Sequence, residues 1–167
     1  MNNTIALVVD KTALQATAVS TAALVFKMLL TLSKHGHTRI LAGCRPPEDV
    51  SLFPKAGKQD FVGDAKMSES DSPKTKLAKM NEKRWTRIVL NDLENVPFGM
   101  IVSWGALLCN GNPTVHTYGT LLFAVSRILH TVFYAGEIQP HRAVAWFGAV
   151  VAMFGMSINA LWGVSSL

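Results

Sequence analysis

Long apolar segments separated by short polar links dominate the chain. Four windows approach the length needed to cross a bilayer: residues 13–32, 88–109, 115–135 and 144–164. A helix rises about 1.5 Å per residue, so ~20 apolar residues span the hydrocarbon core. The first and fourth windows are the cleanest, whereas the second and third contain ionisable groups and are assigned because the links between them are short. The pattern predicts a single all-α domain over residues 1–167, an integral membrane four-helix bundle.

Breaks in the apolar pattern give the expected ends of these helices. We expect the first helix to end near residues 34–37, where Gly36 and a run of polar residues interrupt it. A long loop then covers about residues 34–87. The sequence Asn110-Gly111-Asn112-Pro113 is a strong tight-turn signal, which predicts that the second and third helices are antiparallel neighbours.

Charge is distributed very unevenly along the chain. Of the 27 charged residues, 21 lie between Lys34 and Glu94, and the 73 residues from Asn95 onward hold only three. A soluble fold rarely leaves nearly half of its length without solvated charge. Residues 34–87 contain 12 of the 16 lysines and arginines, so the positive-inside rule predicts that this loop is cytoplasmic. The net charge therefore argues for membrane topology, and no nucleic-acid partner is expected.

The second apolar segment begins with a stripe of polar side chains. At about 100° per residue, its members share roughly a third of the helix circumference. A carboxylate at the bilayer centre costs at least ~2.5 kcal/mol, so this stripe cannot face lipid. It is either a ligand site or a structural ion-pair network, in which Arg127 would pair with Asp92 or Glu94. Asp92 lies beside the stripe and is assigned to the structural role. The stripe itself comprises Arg84, Arg87, Asn91, Glu94 and Asn95.

A second polar face lies on the third helix, where Arg127, His130 and Tyr134 follow at i, i+3 and i+7. With Arg39 and Arg142 at the cytoplasmic rim, these faces should converge. Several arginines with a carboxylate and an amide suit a small zwitterion with two carboxylates, because guanidinium groups bind carboxylates bidentately. Glutathione has this charge pattern, and a nearby cation lowers the pKa of its thiol. His35 and His37 have no partners at metal-ligand spacing, so no metal is expected.

The order of these motifs resembles a known family. Asn91-Asp92-Leu93-Glu94-Asn95, followed by Pro97-Phe98 and preceded by Arg87, resembles the second-helix signature of the MAPEG family, membrane-associated proteins of eicosanoid and glutathione metabolism. Residues 127–134 (Arg-Ile-Leu-His-Thr-Val-Phe-Tyr) are similar to its third-helix signature. Arg142-Ala143 follows where the family has its fourth-helix arginine.

This resemblance implies a homotrimer of four-helix subunits that binds glutathione between neighbouring subunits. It implies a multi-pass protein of the endoplasmic reticulum, with the mitochondrial outer membrane as the alternative. Arg142 would be the catalytic residue that stabilises the glutathione thiolate. The residues implied to bind glutathione are Arg39, Arg87, Asn91, Glu94, Arg127, His130 and Tyr134.

The resemblance further implies a glutathione transferase that attacks lipophilic electrophiles, or a peroxidase that reduces lipid hydroperoxides. The chain is more similar to the microsomal glutathione transferase branch than to the prostaglandin E synthase branch, because Leu90 and Ala143 replace an arginine and a serine of the synthase. Two alternatives stay open. One is a synthase-type isomerase that needs glutathione without consuming it. The other is a non-enzymatic, lipid-binding membrane scaffold in which the polar stripe only holds the trimer together.

Overall fold

The computed structural model describes residues 9–60 and 68–166, and within them it contains four long α-helices and no strand. The predicted all-α class is confirmed. In these ranges two helices, the first and the fourth, are long and apolar enough to cross a membrane. Two short 3-10 helices, Pro47–Ser51 and Pro54–Ala56, follow the first helix. The four helices are α1 (Lys11–Ala42), α2 (Pro73–Leu107), α3 (Pro113–Ala135) and α4 (His141–Ser165).

The chain divides into two compact units. The first comprises residues 9–27 and 92–166, and the second comprises residues 28–60 and 68–91. In the first unit α3 and α4 pack along each other, and Val96, Phe123 and Met156 are fully buried in its core. In the second unit Ile88 and Gln59 are the most deeply buried side chains. Gln59 is held there because its amide nitrogen donates to the carbonyl of Ile40 at 3.2 Å.

The end of α1 differs from the sequence prediction. The helix runs through Gly36 and ends at Ala42, so the predicted end near residues 34–37 is wrong. A glycine inside a helix costs only about 1 kcal/mol relative to alanine, which the surrounding turns can offset. The true stop is Gly43, whose φ of +74° suits glycine. The N–H of Gly43 donates to the carbonyl of Ile40 and that of Cys44 to the carbonyl of Arg39, a Schellman cap.

The start of α2 also lies outside its predicted window. The helix begins at Pro73, so the expectation of a loop as far as residue 87 is wrong for its last part. Ser72 precedes this proline, and its hydroxyl oxygen accepts the backbone N–H of Thr75 at 3.2 Å. A serine cap followed by proline at the first helical position is a standard helix start. The charged residues from Lys74 to Arg87 are therefore helical.

The predicted tight turn between α2 and α3 is confirmed, and α4 holds it in place. Asn112 caps α3 with its side-chain oxygen, which accepts from the N–H groups of Thr114 and Val115. The side chain of Asn159 on α4 accepts the N–H of Asn112 at 2.9 Å and donates to its carbonyl at 3.0 Å. Gly163, one turn further on, packs directly against the turn backbone. These contacts join the ends of three helices in the first unit.

We predict that Gly163→Ala destabilises the protein whereas Gly155→Ala on the same helix does not. A methyl group at residue 163 would lie 2.2 Å from the carbonyl oxygen of Cys109. This backbone atom cannot move aside as the end of a flexible side chain could. Overpacking of this kind costs roughly 1–3 kcal/mol. At residue 155 nothing lies within 4 Å of the added methyl group. Thermal unfolding in detergent should show a lower midpoint for Gly163→Ala alone, and equal midpoints would contradict the packing described.

Candidate functional site

Three helices of the first unit meet at a buried carboxylate. Asp92 on α2 accepts a hydrogen bond from Arg127 on α3, with Nη2 and Oδ1 2.8 Å apart. Its other oxygen accepts from the ammonium group of Lys27 on α1. Asp92 is 2% exposed, Arg127 0% and Lys27 9%. The interpretation in which Arg127 pairs with Asp92 is confirmed for these two residues.

The triad of Lys27, Asp92 and Arg127 has a clear physical reason. A buried charge is costly unless it is paired and hydrogen-bonded, and each oxygen of Asp92 has a cationic donor. Arg127 is therefore buried and paired with Asp92 inside the first unit. Nothing in the structure tests its implied contact with glutathione, which stays a prediction.

A second cluster lies where α3 ends and α4 begins. The guanidinium carbon of Arg142 lies 4.3 Å from the centre of the Tyr134 ring. One helical turn before Tyr134, the ring of His130 meets it edge to face, with 5.7 Å between centroids and 71° between planes. His130 is buried, whereas Tyr134 and Arg142 are half-buried. The structure thus brings together three of the residues predicted from the sequence.

Gln139 belongs to this cluster and was not found by sequence reasoning. Its side-chain amide lies against the guanidinium group of Arg142, and the amide atom that faces this group is 2.9 Å from Nε. A guanidinium group only donates hydrogen bonds, so the amide oxygen must be the atom that faces it. Gln139 is a single polar residue in a short link, and no periodicity or motif marks it. Only its position three residues before Arg142 could have drawn attention to it.

Glu94 lies on the same helix as Asp92 but in a different setting. Two residues along a helix correspond to a rotation of about 200°, so the two carboxylates point to nearly opposite sides. Asp92 is buried and Glu94 is exposed. Glu94 is therefore accessible to a ligand, whereas Asp92 is occupied by two cations.

The remaining predicted residues, Arg39, Arg87 and Asn91, belong to the second unit. Arg39 lies in the last turn of α1, where its Nη2 donates to the carbonyl of Cys44 at 2.9 Å. On α2, Arg87 is exposed and Asn91 is half-buried. The helix is continuous through both residues, so their one-turn spacing is preserved. Their role in binding glutathione stays a prediction.

The second unit also holds a polar network that the sequence did not reveal. The hydroxyl of Thr86 donates to the carboxylate of Glu82 at 2.9 Å and lies 3.0 Å from Nε2 of His35. Because the threonine proton is already donated, Nε2 of His35 is the donor in the second bond. Glu82 is 4% exposed. Burial raises the pKa of the nearby Cys44 thiol, with the negative charge of Glu82 adding to the effect, so this thiol stays protonated and is a poor nucleophile.

At the other end of α3, His116 lines a cavity of about 180 Å³. Its Nε2 lies 2.8 Å from the hydroxyl of Thr17 on α1. That hydroxyl donates its proton to the carbonyl of Ala13, so Nε2 is the donor to Thr17. The imidazole is 2% exposed and ties α1 to α3. Within residues 9–60 and 68–166, no three His, Cys, Asp or Glu side chains converge as metal ligands.

The described residues form an all-helical protein with two helices long and apolar enough to cross a membrane and with a cluster around Arg142 where α3 ends and α4 begins. A family model described as the MAPEG family matches residues 17–162. The match covers most of the chain, so the protein belongs to the MAPEG family. The family is membrane-associated and includes glutathione transferases, peroxidases and prostaglandin E synthases. The comparison with curated proteins finds no match.

We predict that Asp92→Asn destabilises the protein strongly, whereas Glu94→Gln leaves its stability unchanged. Removing the Asp92 charge leaves two buried cations without their carboxylate, which costs roughly 3–5 kcal/mol. Glu94 is exposed, so neutralising it removes no buried pair. Thermal unfolding in detergent gives the midpoint of each variant. The two substituted residues are only two positions apart on α2. A midpoint for Asp92→Asn as high as that for Glu94→Gln would rule out a structural role for the triad.

Proposed function

We propose that this protein is a membrane-bound glutathione transferase in which Arg142 stabilises the glutathione thiolate. The observation that supports the proposal most is the Arg142 cluster: a cation that rests on the Tyr134 ring with His130 beside that ring. Arg142 lies in the first turn of α4. The backbone N–H groups of residues 142 to 144 already donate to carbonyls of Ile138 and Pro140, so what the helix start adds is the positive end of its dipole, which favours an anion there.

The chemical demand is the formation and positioning of the thiolate. A free thiol has a pKa near ~8.5, so only a small fraction is ionised at neutral pH. A neighbouring cation increases that fraction, and each unit of pKa is worth about 1.4 kcal/mol. The thiolate sulfur then attacks an electrophilic carbon of the lipophilic substrate. A carbon–sulfur bond forms, and the leaving group departs with the bonding electron pair.

The same thiolate supports reduction of a lipid hydroperoxide. Its sulfur attacks the terminal peroxide oxygen, the O–O bond breaks, and the lipid alkoxide takes up a proton. The sulfenic acid of glutathione reacts with a second glutathione to give the disulfide and water. An endoplasmic reticulum location and a homotrimer with glutathione between its subunits complete the proposal. Family membership supports the use of glutathione.

We predict that Arg142→Ala loses most turnover while it keeps glutathione binding. Loss of the cation returns the thiol toward its solution pKa, so the rate should fall by roughly one to two orders of magnitude. The assay uses purified protein in detergent with glutathione and either a chlorodinitrobenzene-type electrophile or a fatty-acid hydroperoxide. Isothermal titration calorimetry measures glutathione affinity in the same preparation.

Arg45→Ala is the matched control, because Arg45 lies in the loop of the second unit and pairs with Asp49. It should retain wild-type turnover. Unchanged turnover in Arg142→Ala would refute the catalytic role. Turnover of an endoperoxide without consumption of glutathione would instead favour the synthase-type isomerase.

We predict that Glu94→Gln weakens glutathione binding while the trimer stays intact. Glu94 is exposed and can accept the ammonium group of glutathione, a charge-assisted contact whose loss lowers affinity roughly tenfold or more. Calorimetry measures affinity, and native mass spectrometry measures the oligomer. Glu48→Gln removes an exposed carboxylate elsewhere in the chain and should change neither quantity. Dissociation of the Glu94→Gln trimer would place Glu94 in the structural network.

A second candidate function is a non-enzymatic membrane scaffold. The Lys27–Asp92–Arg127 triad supports it, because part of the polar pattern in α2 and α3 holds helices together. A protein that binds no glutathione in the calorimetric experiment would favour this candidate over the transferase.

A further inference from the structure

Gln139 and Tyr134 restrain the guanidinium group of Arg142 in two different ways. The Tyr134 ring, whose centre lies 4.3 Å from the guanidinium carbon, holds the cation against one aromatic face. The amide oxygen of Gln139 accepts from Nε at 2.9 Å and also from Nη2. Because Nε and Nη2 define one edge of the fork, this contact fixes the rotation of the group within its plane.

The two contacts decide which N–H groups stay available. Gln139 occupies the Nε–Nη2 edge, and the aromatic ring lies against the guanidinium group. The Nη1–Nη2 end of the fork is left, and it offers two donors suited to an anion. The neutral amide also matters, because it orients the cation without cancelling its charge. A carboxylate at residue 139 would hold the same edge but oppose the field of Arg142.

We propose that Gln139 is a positioning residue that turns the Nη1–Nη2 end of Arg142 toward the glutathione thiolate. The inference rests on the proposed function and adds to it a residue that acts through Arg142. It separates two contributions to thiolate formation, the orientation of the cation and its charge.

Two substitutions separate these contributions. Gln139→Ala removes the acceptor and leaves the charge of Arg142 intact, so thiolate formation should fall severalfold, in line with the loss of one hydrogen bond. Gln139→Glu keeps an acceptor but places a negative charge against the cation. The pKa of the bound thiol should therefore rise, and the thiolate fraction at neutral pH should fall by roughly tenfold.

The experiment titrates the thiolate absorbance of glutathione bound to the detergent-solubilised protein as a function of pH, alongside kcat and KM. Both Gln139 variants should reduce kcat more than they raise KM for glutathione. Lys58→Gln is the control, because it changes the net charge by the same one unit as Gln139→Glu at an exposed loop position. It should leave the thiol pKa unchanged.

The outcomes are distinguishable. If Arg142→Ala suppresses the thiolate but both Gln139 variants titrate like wild type, the positioning role is refuted and the proposed function stands. If Arg142→Ala itself leaves the thiolate unchanged, the proposed function fails and the inference fails with it. A severalfold loss in Gln139→Ala together with a raised thiol pKa in Gln139→Glu establishes the role. Gln139→Ala keeps the test available if the glutamate variant does not fold.

Discussion

The ion pairs of Asp92 are the interaction on which the first unit depends. One carboxylate, 2% exposed, accepts hydrogen bonds from cations on two other helices. In an apolar surrounding each partner needs the other, because an unpaired buried charge costs several kcal/mol. The contact also sets the rotation of α3, since Arg127 must point inward. His130, three residues later, lies on the same side of the helix and is buried for that reason.

Asp92 and Glu94 show how far charge patterns in a sequence can be interpreted. Both belong to one polar segment of α2, and periodicity alone left open whether a carboxylate there binds a ligand or pairs with Arg127. The structure separates them, because a rotation of about 200° places one inside and one outside. The choice depended on which face α3 covers, and that is a tertiary contact. The sequence-based interpretation assigned Asp92 to the structural role and Glu94 to glutathione binding. The structure confirms the pairing of Asp92, and the role of Glu94 stays a prediction.

Three features were predictable because they follow from apolar length, turn chemistry and spacing. They are the number of helices, the turn at residues 110–113, and the cluster of His130, Tyr134 and Arg142. Helix ends were less predictable. Gly36 and Gly43 are both glycines near the end of α1, and only the second has a positive φ and the paired carbonyl contacts of a cap. Propensity cannot distinguish them, because a tolerated glycine costs little. Gln139 escaped prediction for a different reason, as an isolated polar residue has no pattern.

Three cations of the first unit, Lys27, Arg127 and Arg142, divide into two kinds by what contacts them. Lys27 and Arg127 share the carboxylate of Asp92, so their ion pairs join helices. Among residues 9–60 and 68–166, Arg142 pairs with no carboxylate; its described partners are an aromatic face and a neutral amide. Both contacts hold a guanidinium group without cancelling its field. A cation kept in this way has the larger effect on a nearby anion, because Coulomb attraction is not offset by a competing negative charge. That difference, more than the number of arginines, supports the proposal that Arg142 is the residue that stabilises a thiolate.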